Sequence, residues 1–260
     1  MRQKKVWLGI LVIGMFGSAA MAVAPMGPPV ATLGEGQAAF GLGYAYSNAD
    51  VEVSGPLTGL TGDAELDNFT NNMYYGCIAY GISDEWNVCV AAGAADAAFD
   101  ADGSGKDFDG DTDFGFAVQA TRTLYDNGSD TKWGTLFQYS RGQSSDTIQS
   151  AGQSFGHDAI PLGSGNYDLD LDWYEVQLAL GPAVQVNPDL CIYGGPFLHF
   201  LEGDLSVKNA TQDEYELQQL WELGGYIGAV INIGANASVG LEFLYTGDGW
   251  GAGVGAMFPM

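Results

Sequence analysis

From Ala38 to Ser47 the residues Ala38, Phe40, Leu42, Tyr44 and Tyr46 alternate with Ala39, Gly41, Gly43, Ala45 and Ser47. A strict period of two predicts a β-strand, here with one bulky apolar face and one face of small residues. The same division returns near the C-terminus, where Trp250, Ala252, Val254, Ala256 and Phe258 alternate with Gly251, Gly253, Gly255 and Met257. A soluble sandwich buries its bulky faces and exposes polar ones. The second face in this chain is neither bulky nor charged.

Between the two ends the pattern recurs as hairpins. Tyr74, Gly76, Ile78, Tyr80 and Ile82 lead into Ser83-Asp84-Glu85, and Trp86, Val88, Val90, Ala92 and Ala94 lead away. Centring the turn on Ser83 sets Tyr80 opposite Trp86, Ile78 opposite Val88 and Cys77 opposite Cys89. Phe114, Phe116, Val118 and Ala120 run to Asp126-Asn127-Gly128, and Trp133, Thr135, Phe137 and Tyr139 return. Tyr174 to Val184 and Leu190 to Phe200 flank Asn187-Pro188-Asp189, and a turn centred on Asn187 sets Glu175 opposite His199. Leu217, Trp221, Leu223, Ile227 and Ile231 reach Gly234-Ala235-Asn236, from which Val239, Leu241, Phe243 and Tyr245 return.

Ten strands result, joined alternately by tight turns and by long connectors at Ser54 to Thr70, Asp100 to Thr112 and Gly142 to about Leu171. That asymmetry predicts a closed antiparallel transmembrane β-barrel of about ten strands, with eight or twelve as alternatives. An even, closed ring leaves no unpaired edge in lipid. Trp86, Trp133, Tyr80 and Tyr125 fall near the tight-turn ends, and Tyr46, Tyr139, Tyr174, Tyr245 and Trp250 near the others, as two aromatic girdles would.

The N-terminus agrees with export. Arg2, Lys4 and Lys5 precede an apolar run from Val6 to Phe16 and a stretch of small residues, the layout of a signal peptide cleaved after Ala22. The predicted organisation is a signal peptide over 1–22, an N-terminal periplasmic segment over 23–36 and the barrel over 37–260. Cleavage removes three of eight basic residues and no acid, taking the formal charge from −24 to −27. No basic stripe exists to replace the counterions of a phosphate backbone, so nucleic acid is excluded as a partner.

The signal peptide, the Gly-alternating strand Phe40-Gly41-Leu42-Gly43-Tyr44, the hairpins and the terminal strand with Phe258 make the chain resemble the small outer-membrane β-barrels of the opacity-protein and porin-like superfamily. The resemblance implies residence in the outer membrane, contact with its lipid and lipopolysaccharide, and insertion by the barrel-assembly machinery. Such barrels end on an aromatic residue, whereas Pro259 and Met260 follow Phe258 here.

The register opposite the bulky face lines the interior and includes Gln119, Gln138, Glu175, Gln177, His199, Gln218, the acidic Glu222 and Glu242, Cys77 and Cys89. Cys77 and Cys89 are candidates for a disulfide in an oxidising compartment, or stay free. Glu175 and His199 form a lumen pair that is either structural or the centre of a barrel hydrolase acting on peptide or lipid A. Asp100, Asp102 and Ser104, followed by Gly105 and by Asp111 in the twelfth place, match a calcium loop in part. Asp168, Asp170 and Asp172 form a second acidic run. The expectation is a non-enzymatic outer-membrane structural or surface-interaction protein, with a narrow cation-permissive pore if the lumen is open. No cofactor is required, and weak Ca²⁺ or Mg²⁺ binding at the external loops is expected. The alternatives are the hydrolase and a secreted soluble β protein.

Overall fold

Period-two alternation gives strands wherever it holds, and it holds further than the apolar stretches suggest. The structure, a computed structural model, describes residues 25–54, 64–99, 107–151, 154–155, 160–161, 164–208, 213–234 and 236–260. Ten long strands form one antiparallel ring: β1 (Ala38–Ser54), β2 (Ala64–Ser83), β3 (Trp86–Phe99), β4 (Asp111–Asp126), β5 (Thr131–Ala151), β6 (Ser164–Asn187), β7 (Leu190–Lys208), β8 (Asp213–Asn232), β9 (Ser238–Tyr245) and β10 (Gly249–Pro259). Each pairs with its neighbour in sequence, and β1 closes the ring on β10 from Ala39–Pro259 to Ala49–Gly249. Short strands Phe108–Asp109, Ser154–Phe155 and Ile160–Pro161 lie toward the long-connector end.

A strand needs about 9–11 residues to cross a membrane, yet β6 has 24 and β2 has 20. The surplus rises beyond the apolar belt at the long-connector end, and there the bulky residues change faces. On β6, Tyr174, Val176, Leu178 and Leu180 point outward, whereas further up Tyr167, Leu169, Leu171 and Trp173 are buried inside and Asp168, Asp170 and Asp172 take the outer face. On β7, Ile192 and Leu198 face out, whereas Leu201, Leu205 and Val207 are buried and Glu202 and Asp204 turn outward. Below the switch the barrel is solvated by lipid; above it, by water, with an apolar core of its own. Much of two expected connectors, Ser54 to Thr70 and Gly142 to Leu171, is therefore strand. A scan for bulky residues in one constant phase misses the extension because its phase is inverted.

The boundary is marked by aromatics. Phe114, Phe116, Tyr139, Tyr174, Phe200 and Trp221 make a chain of ring contacts across β4 to β8, with centroids 5.4–6.3 Å apart. The Tyr44 hydroxyl donates to Asn72 Oδ1 (2.7 Å) and that of Tyr174 to Glu202 Oε2 (2.7 Å), so each ring lies in the apolar zone and each oxygen reaches the polar one. At the tight-turn end Trp86, Trp133, Tyr80 and Tyr125 are exposed as the second girdle.

Three registers differ from the expected ones. A bulge near Ser83 sets Cys89 opposite Ala79 and Cys77 opposite Ala91. A shift at Leu190 sets His199 opposite Gln177 and Leu201 opposite Glu175. In β8 an extra residue between Gln219 and Glu222 exchanges the faces, so Leu217 is buried inside and Gln218 lies on the outer register. Bulges insert single residues without a composition signal, which is why symmetric counting about a turn fails by one or two places.

The ring also changes its strand number with height. The β9–β10 hairpin ends at Thr246–Asp248, and beyond it β1 pairs directly with β8 through Glu52–Gln218, Val53–Leu217 and Ser54–Glu216.

Candidate functional site in the barrel lumen

Three layers fill the interior. The outermost is apolar: Phe69, Phe99, Phe108 and Trp173 pack with Phe99 stacked on Phe108 at 4.7 Å and Phe69 edge-on to Trp173 at 6.1 Å. Leu169, Leu171, Leu201, Leu205 and Leu217 complete this plug. Above the lipid belt, it gives the barrel the cross-section of a solid core.

The middle layer is polar and sealed. His199 Nε2 lies 3.5 Å from Glu175 Oε2, both side chains being fully buried. Asn71 reaches across the lumen from β2 and donates to Glu175 Oε1 at 3.1 Å. The two residues are thus brought together, though diagonally rather than face to face. Around them the register builds a row from strand to strand: Gln119 opposite Gln138, Gln138 opposite Gln177, Gln177 opposite His199, His199 opposite Glu222. Glu222 ends the row beside Asp248 in the β9–β10 turn. Ser140 stands opposite Glu175 and is buried with it.

The innermost layer is the chain's own N-terminal segment, folded back into the mouth at the tight-turn end. Met26 and Gly27 donate their backbone N–H groups to the two oxygens of Glu242 at 2.7 and 2.8 Å, and the Tyr193 hydroxyl adds a third bond at 3.0 Å. Gln119 Nε2 donates to the Met26 carbonyl. Asn87 accepts from Thr32 and Leu33 through Oδ1 (2.6 and 3.0 Å) and donates to the Leu33 carbonyl (2.9 Å), and Thr123 Oγ1 accepts from Ala31 at 3.0 Å. Glu242 is therefore a clamp for main-chain donors, a buried acceptor satisfied on both oxygens. Period-two alternation puts Glu242 on the lumen face without indicating a task; the signal for one lies in Pro25 to Gln37, a Pro- and Gly-containing stretch whose main-chain groups need partners outside a strand ladder. Between segment and wall lies a cavity of about 920 Å³ lined by Tyr75, Cys77, Cys89, Gln119, Tyr193 and Met257 among others.

The remaining candidates are dispersed. Asp111 opens β4 opposite Ser145 and its carbonyl accepts from Ser144 Oγ at 2.9 Å, while Asp100, Asp102 and Ser104 lie outside the described residues, as does the signal peptide. Cys77, Cys89 and Cys191 are free thiols.

An antiparallel ring of ten strands with an apolar outer belt, girdles and tight turns at one end is the fold of outer-membrane β-barrels. No protein family matches the sequence and no curated protein does. Among solved structures the chain is similar in fold to the outer membrane protease OmpT of Escherichia coli, with a TM-score of 0.53 and 10% identity, over 86% of this chain and 97% of that one. The translocator domain of the autotransporter NalP of Neisseria meningitidis gives a TM-score of 0.49 at 12% identity, over 87% and 89% of the two chains. The attachment invasion locus protein Ail of Yersinia pestis gives 0.38 at 14% identity, over 87% and 99%.

Proposed function

We propose that the chain is a non-enzymatic surface protein of the outer membrane, a sealed barrel that holds an acidic strand wall against the lipopolysaccharide layer through divalent cations. The inversion of faces above the lipid belt carries this reading: the apolar interior makes the wall rigid and the outer register makes it acidic. Asp172 stands opposite Asp204 and Asp204 opposite Glu216 across β6, β7 and β8. Like charges directly opposite destabilise a sheet. Arg141 pairs with Asp172 at one end of the row, its Nε 2.8 Å from Oδ1, and Asp204 and Glu216 are left exposed. Ca²⁺ or Mg²⁺ between such carboxylates and the anionic groups of lipopolysaccharide offsets both repulsions.

The aromatic plug supports a wall in preference to a solute pore. Full burial of Glu175 and His199 likewise supports a structural pair in preference to a hydrolytic one, since no substrate bond reaches them with the plug in place. The test is thermal unfolding of the barrel in lipopolysaccharide-containing and in phosphatidylcholine bilayers, with and without EDTA. Chelation is expected to lower the midpoint only in the first, and Asp204→Asn with Glu216→Gln is expected to abolish that dependence. An equal EDTA effect in both bilayers, or an undiminished one in the double variant, sinks the reading.

A further inference from the structure

Three sulfur atoms converge on the lumen faces of β2, β3 and β10. Cys77 and Cys89 are diagonal neighbours on one face of the β2–β3 pair, a placement from which side chains still reach each other, and both line the same cavity. Gly41 of β1 stands between the other two strands, opposite Cys77 on β2 and opposite Met257 on β10. Because Gly41 has no side chain, Cys77 Sγ and Met257 Sδ meet over it at 3.7 Å. A Cβ at Gly41 would lie 2.7 Å from Cys77 Sγ and would also collide with Met257 Sδ. Cys77 is buried at 7% exposure, and the thiols are free. All three sulfurs line the inner cavity, which extends to the tight turns at Ser129, Pro188 and Gly234.

We propose that Cys77, Cys89 and Met257 form a binding site for Cu(I). Thiolate and thioether donors are soft and suit Cu(I), zinc and iron–sulfur clusters, and of these Cu(I) is the one served by two thiolates and a neutral thioether. Two sulfurs about 2.3 Å from one ion and about 120° apart around it, as three donors require, are separated by about 4.0 Å, within a few tenths of an ångström of the Cys77–Met257 spacing. Zinc is disfavoured because it closes a tetrahedron of thiolate, imidazole or carboxylate donors. Among the described residues no three His, Cys, Asp or Glu side chains are grouped to hold a metal, so the third donor is the thioether. The binding step balances without a co-reactant: one Cu⁺ and two thiols give a bis-thiolate complex and two released protons, with the thioether as a neutral donor and no electron transferred. Copper must arrive already reduced, through the mouth that the N-terminal segment partly covers.

The experiment is titration of the reduced, detergent-purified barrel with Cu(I) against a chromophoric Cu(I) chelator, with Ag(I) as a redox-inert probe in parallel. A single equivalent is expected, with affinity falling about 100-fold in Cys77→Ser and Cys89→Ser and about 10-fold in Met257→Leu. Heat-modifiable migration checks that each variant is folded, and Cys77→Ala and Cys89→Ala replace any serine variant that is not. X-ray absorption is expected to show a shell of sulfur alone. Binding unaffected by Met257→Leu overturns the three-sulfur site. No retained Cu(I), retention undiminished in both cysteine variants, or a Cys77–Cys89 disulfide in barrel isolated from cells overturns the proposal altogether.

Discussion

Inside the wall, aromatic rings are laid across glycines of the neighbouring strand. Trp173 faces Gly142, Tyr193 faces Gly228 and Tyr75 faces Gly43, each pair in direct register. In all three a Cβ on the glycine would strike the ring. Glycine here serves close approach: it lets a large ring lie flat within a lumen too narrow for two side chains at that height. Trp173→Ala is expected to destabilise the barrel by about 3–5 kcal/mol, as large-to-small changes in a core do. Gly142→Val is expected to cost about 1–3 kcal/mol by overpacking. Both are measured as the urea midpoint of heat-modifiable migration, and the second also by a shift of tryptophan emission as Trp173 is pushed aside. The Glu242 clamp works at the same scale. Glu242→Ala removes the acceptor of three bonds and is expected to free the N-terminal segment, read as faster amide exchange at Met26 and Gly27.

The segment from Pro25 to Gln37 and the strands obey different rules, and that difference decides what the sequence disclosed. Strands announce themselves by period, so the ring, its closure and the outward direction of Phe40, Ile78, Val90 and Leu241 were legible. Placement of Glu175 beside His199 was legible too, because a register error of two residues still leaves diagonal neighbours within reach of each other. The fold of the N-terminal segment was not, since a stretch without regular hydrogen bonds carries no period and its partners are distant in sequence: Met26 and Glu242 are separated by 216 positions. Pro25 packs where a side chain on Gly253 would have to stand. Gly253→Val is therefore expected to expel the segment while leaving β10 paired, giving protease cleavage between Pro25 and Gln37 with unchanged heat-modifiable migration.

At the scale of the whole barrel, the few cations among the described residues are all engaged, whereas Asp204 and Glu216 of the outer wall are exposed. Lys132 pairs with Asp126 at 2.8 Å, Arg141 with Asp172 and Lys208 with Asp170, and Arg122 lies 5.2 Å from the ring centre of Trp86 in the inner girdle. Among the described residues no basic side chain is left to neutralise the outer wall. Surface pairs of this kind contribute little to stability, so the charge acts chiefly on what approaches the barrel. With the plug intact, reconstituted barrel in a planar bilayer is expected to show no steady ion current at physiological salt, and stepwise conductance that persists in every preparation would contradict the sealed lumen.

The direct contact of β1 with β8 above the last hairpin bears on how such a ring can grow or shrink. A chain ending near Asn232 would need a register in which its first and last strands join, and three residue pairs of that register, Glu52–Gln218, Val53–Leu217 and Ser54–Glu216, are already in place at the outer end. One molecule thus carries two closures, ten strands wide in lipid and eight above it, with β9–β10 present in the lower seam alone. Strand number in this architecture is a local property of height, and gain or loss of a terminal hairpin is a step for which the wall holds a ready-made splice.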